Sequence, residues 1–232
     1  MHIKALKIAI LGAFVATSIA CGQIEVPMTL ALDAEASSIE LTIPAGAPEP
    51  TADIGLEGGV ETLMVAEISL IDLLFSQAVL GTIEVTDLLF GGTPFNILGI
   101  STEEVCVVVD DNAAGGGTVL IDIFQGHIDF NMTLATAILI GNPILGGVIP
   151  DGFPFEISVM EGADLSLVEM LALLGGNTDG GLAIEQNFSE VIEADIGGLI
   201  VPIGVNASIS LATANEFPSG MLIDDCIAFL AE

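Results

Sequence analysis

Few residues in this sequence can do chemistry, and they are of narrow type. Past Lys7 there is no lysine or arginine, His127 is the sole histidine, and all 32 Asp and Glu residues follow the two lysines. A serine hydrolase needs a histidine beside a nucleophile presented on a G-x-S-x-G turn. Here His127 stands in Gln125-Gly126-His127-Ile128-Asp129, at the start of a strand-like run, and the elbow motif is missing. A lone histidine at a strand end is most often structural. Schiff-base, phosphate-clamp and P-loop chemistry all lack their cation. Paired carboxylates could serve a glycosidase, but sugar sites usually stack on Trp or Tyr and the chain has neither. The expectation is a protein that is not an enzyme.

Metal chemistry is almost as constrained. Zinc wants clustered Cys and His, whereas Cys106 and Cys226 are far apart with one histidine between them. These thiols are read as a disulfide suited to an oxidising compartment, the alternative being two buried free thiols. Calcium takes Asp, Asn and backbone oxygens without nitrogen ligands. Its candidates are Asp110, Asp111 and Asn112 before a glycine run, and Asp179 in Asn177-Thr178-Asp179-Gly180. Neither stretch is an EF-hand loop, and ordinary Asx turns account for both. No other cofactor is expected.

The formal charge of -30 restricts partners. Phosphate contacts require Lys or Arg, so nucleic acid is excluded, and a charged partner has to be a cation or a basic surface. The acids also keep an apolar chain soluble. With 52% hydrophobic residues and no Trp or Tyr, the core must be built from Ile, Leu, Val, Ala and Phe.

The N-terminus carries an export pattern. Lys4 and Lys7 precede an apolar run over residues 8–15, followed by Ala16-Thr17-Ser18-Ile19-Ala20-Cys21. A basic start, a short apolar stretch and small residues before a break describe a signal peptide, here residues 1–20. Ser18-Ile19-Ala20-Cys21 resembles the lipobox of bacterial lipoproteins, with Ala20, Cys21 and Gly22 matching and Ser18 standing where that class usually has Leu. The resemblance implies that Cys21 is lipidated and becomes the mature N-terminus, a membrane anchor. Gly22 in place of Asp suits delivery to an outer membrane or cell surface. Cleavage near Ala20 without lipid would instead give a periplasmic or secreted protein.

Residues 21–50 are small, acidic and proline-spotted. They read as a tether, with Ile39, Leu41 and Ile43 marking one short strand. Residues 51–232 read as a single domain. Its clearest strand covers 128–140, with Ile128, Phe130, Met132, Leu134, Ile138 and Ile140 on one face and Asp129, Asn131 and Thr133 on the other. Phe155-Ile157-Val159 and Val205-Ala207-Ile209-Leu211 alternate similarly, and residues 105–109 are apolar on both faces, as in a central strand. A helix is expected over 164–174, opened by Asp164 and burying Leu165, Val168 and Leu171; residues 68–80 fit a second helix or a strand pair. The fold class is all-β, an antiparallel sandwich or curved barrel-like sheet with one or two short helices. Its expected role is a structural or adhesive binding module of the cell envelope. The alternative is a carrier of an apolar ligand in a cavity lined by Phe124, Phe130, Met132 and Leu134.

Overall fold

The alternation over residues 128–140 does form a strand. The computed structural model describes residues 22–69, 72, 78–97, 100–109, 115–141, 153–174, 182–196 and 199–231, and β9 runs from His127 to Gly141. Ile128, Phe130, Met132, Leu134, Ile138 and Ile140 are all buried on its inner face, while Asn131 and Thr133 are exposed. Burial of one apolar face fixes the register, because a slip by one residue would turn that whole face to water.

The remaining strands are β1 (Gly22–Leu32), β2 (Ser38–Thr42), β3 (Ala52–Ile68), β4 (Val79–Gly92), β5 (Asn96–Ile97), β6 (Ile100–Ser101), β7 (Glu104–Val109), β8 (Gly116–Asp122), β10 (Phe153–Asp164), β11 (Ala183–Ile196) and β12 (Leu199–Ala214). β5 and β6 pair only with each other, and the other strands form one 10-stranded antiparallel sheet. Two of its ribbons are interrupted. β1 and β2 lie end to end between β3 and β12, and β7 and β8 lie end to end between β4 and β9. In the first interruption Ser37 continues the contact with β12, its Oγ accepting from Ser210 N–H at 3.0 Å and donating to Ser210 O at 3.3 Å.

With each interrupted pair treated as one ribbon, each ribbon pairs with its neighbour in sequence except β10 with β11, and the last, β12, returns to the first. The result is an up-and-down meander curled towards a barrel. The remaining flank, β10 beside β11, is bridged by Glu156 N–H, which donates to a Glu190 carboxylate oxygen at 3.5 Å. The inner faces share one hydrophobic cluster that draws on all the long strands. Outward positions such as Asp53, Glu67, Glu84, Asn131, Glu156 and Glu185 are exposed. That polarity is the reverse of a lipid-facing barrel, whose exterior carries the apolar band.

Two expectations need correction. Residues 22–50, read as a tether with one short strand at 39–43, supply that strand as β2 and, in place of a tether before it, the long strand β1. Val26, Met28 and Leu30 of β1 are buried, and β1 pairs with β3 along nearly its whole length. Pro27 weakens the strand signal because it removes a ladder donor. It is tolerated because pairing with β12 starts only at Thr29, which leaves β1 flanked on one side at that point. The helix α1 spans Leu167–Leu174, and Ser166 rather than Asp164 opens it. Ser166 N–H donates to Glu169 Oε2 at 2.7 Å, and Glu169 N–H donates to Ser166 Oγ at 3.3 Å, a reciprocal capping box. Leu165 therefore precedes the helical phase, and the buried helix face is Met170 and Leu173, with Val168 77% exposed. The other helix-like stretch, 68–80, contains the end of β3 and the start of β4, and most of the intervening residues lie outside the described set.

A second helix, α2 (Met221–Leu230), lies on the outer face of β3, β4 and β7. It seats on Gly91, where any Cβ would collide with the backbone of Leu222 and Ile223, and it buries Ile223 and Cys226. β7 is thus apolar on both faces because α2 covers the second. At the start of α2, Gly220 makes no side-chain cap. Glu57 lies against it, with Oε2 buried and without a hydrogen-bond partner, and a carboxylate there is favoured by the helix dipole.

Candidate functional site

The sequence-derived candidates fall in three places. Cys106 and Cys226 are joined in a disulfide, with Cα atoms 5.5 Å apart, and it staples α2 to β7. Both cysteines are buried, which shields the bond from exchange with external thiols. Cys21, Asp110, Asp111, Asn112 and Asp179 lie outside the described residues. Among the described residues no group of three or more His, Cys, Asp or Glu could hold a metal ion.

The residues proposed to line an apolar cavity are packed against one another. Phe130, Met132 and Leu134 are buried on the inner face of β9, and Phe124 is half-buried in the β8–β9 turn. Met132 and Leu134, with Leu30, Phe90, Ile157 and Ile209 among others, surround an internal void of about 20 Å³. That is room for about one water molecule. Ligand pockets are more than tenfold larger.

His127, read from the sequence as a structural histidine at a strand end, stands at the centre of a polar cluster. The β8–β9 turn is tied by Asp122 Oδ1, which accepts from the N–H groups of Phe124 and Gln125 at 3.0 and 2.9 Å. The turn closes at Gly126, with φ +73, a left-handed conformation that favours glycine. His127 then opens β9 on its outer face, across from Asp122 of β8 and Asp164 of β10. Its Nδ1 lies 2.6 Å from Asp164 Oδ1 and its Nε2 lies 3.0 Å from Asp129 Oδ1. Carboxylates only accept, so both bonds coexist only when the ring is doubly protonated. The Asp164 hydrogen bond, then that of Asp129, accordingly raises the imidazole pKa above 6.5. Gly162 leaves the space: a Cβ there would crowd Asp129 and the ring.

With both nitrogens committed to carboxylates, the ring has no free lone pair with which to act as a general base or a metal ligand. The arrangement is an ion-pair clasp between β9 and β10. The His-x-Asp spacing was visible in the sequence, but Asp164 becomes its partner only through the register of the two strands. Compared with protein-family models, curated proteins and solved structures, the chain matches none.

Proposed function

We propose that the chain is an exported, lipid-anchored surface protein that acts by presenting a rigid binding scaffold rather than by catalysis or by carrying a ligand. The observation that supports this best is the packing around Met132 and Leu134, where the apolar space left among the described residues is about 20 Å³, too small for a lipid or metabolite. The exterior, acidic and without a basic side chain past Lys7, suits a soluble module whose charged partners are cationic. Because β1 begins at Gly22, an acyl group on Cys21 would hold the barrel close to the membrane, with little tether between.

Native mass spectrometry of the protein purified from its own host tests this. The expected species starts at Cys21, carries acyl groups and brings no second apolar molecule. A stoichiometric lipid bound beyond the anchor would overturn the scaffold reading in favour of a carrier. A mature chain starting elsewhere without acyl groups would overturn the anchor.

A further inference from the structure

The pairing of β11 with β12 continues past the body of the sheet. β2 leaves β12 at Gly204, opposite Thr42, yet β11 stays paired through to Ile196 opposite Leu199. Ala45 N–H, donating to Pro202 O at 2.8 Å, ties this arm to the body. Exposed aliphatic side chains also occur elsewhere, at Leu80, Met160 and Val168 for example, but here they stand on a two-stranded ribbon that runs past the body of the sheet. Leu199 and Ile200 are 67% and 57% exposed, Val191 at the root of the arm is 62% exposed, and Glu193 is exposed between Val191 and Ile200. Strand alternation puts Val191, Glu193 and Ile200 on the outer face and Leu199 on the other, so the arm offers aliphatic groups to both sides.

We infer that this arm docks a protein partner whose apolar cleft is bordered by lysine or arginine. Aliphatic side chains exposed this far are stabilised by entering such a cleft, and Glu193 would meet a basic residue at its rim. A second copy of this chain is a poor occupant: lacking Lys and Arg past residue 7, it would set glutamate against glutamate. A bilayer is disfavoured because Glu193 shares the face of Val191 and Ile200, and the chain has no Trp or Tyr for interfacial anchoring. The inference rests on the surface-module reading in one respect. β1 starts against Ile68 at the opposite end of the sheet from Leu199, so an anchor at Cys21 would point the arm away from the membrane.

The test uses the mature chain and an immobilised synthetic peptide of alternating leucine and lysine, with leucine–glutamate and serine–lysine peptides as comparisons, at ~150 mM salt to suppress long-range attraction. The wild type is expected to bind the leucine–lysine peptide. L199S/I200S should bind about tenfold more weakly or worse, and E193K should also weaken binding. The control L80S/L120S, altered at exposed leucines on the flat sheet, should stay within about twofold. Unchanged thermal midpoints establish that the variants are folded. Equal affinity in arm and control variants would overturn the proposal. So would arm-dependent sedimentation with phosphatidylcholine vesicles, which identifies a membrane, or an arm-dependent dimer, which identifies a second copy. A failed anchor is read separately, because C21S changes fractionation and leaves this affinity as it was.

Discussion

At the scale of single residues, the His127 clasp is where charge and geometry meet most closely. Its folded pKa is raised, chiefly by the Asp164 hydrogen bond, so its contribution to stability is fully present below the unfolded value of 6.5 and is lost as pH rises through the folded pKa. His127 is the sole histidine past the signal region, and Cys106 and Cys226 are held in the disulfide. The thermal midpoint of the wild type is therefore expected to fall as pH rises from about 6.5, and H127Q should flatten that dependence. D164N should move the imidazole pKa, followed by proton NMR, back towards 6.5. An unshifted titration would show that the clasp does not form in solution.

At the scale of elements, β9 and α2 make separate claims. Phe130 is 3% exposed, so F130A is expected to cost about 3–5 kcal/mol in denaturant unfolding, and N131A well under 1 kcal/mol. Similar losses for the two would contradict the register. Gly91 is occupied by the backbone of α2, and G91A is expected to lose about 1–3 kcal/mol by lifting that helix. Gly204, whose Cβ would make ordinary contact with Thr42 at 3.5 Å, is the matched control. G204A should be neutral or slightly stabilising, because alanine narrows the unfolded ensemble. The α1 cap was legible too, as the Ser166-x-x-Glu169 signature. The Asp two residues earlier obscured it, and with it the helical phase.

For the whole molecule, self-repulsion is the dominant electrostatic fact. Loss of the two lysines with the signal would take the formal charge from -30 to -32. The thermal midpoint is expected to rise as sodium chloride is increased from about 0.01 to 0.5 M, because shortening the screening length from ~30 Å to a few Å relieves carboxylate repulsion. Calorimetry at fixed pH would check this; a falling midpoint would mean that the His127 clasp outweighs the repulsion. A processed chain also offers trypsin no Lys or Arg, so the denatured mature protein should survive trypsin and be cut by proteases acting after Glu or Phe. Tryptic fragments would show that the lysine-bearing segment is retained.

Short-range information determined much of this protein. Apolar alternation with period two set the strands and inner faces of β9, β10 and β12, because a half-buried strand must sort its side chains between water and core. The lack of basic groups set the classes of chemistry and partner. Only the tertiary structure decided that residues 22–32 belong to the sheet, that Asp164 faces His127, and that Met132 and Leu134 pack against neighbouring strands. Each of these depends on which distant segments come to lie side by side. That choice is made by the joint packing of all the strands around one core, and no local window of the chain contains it.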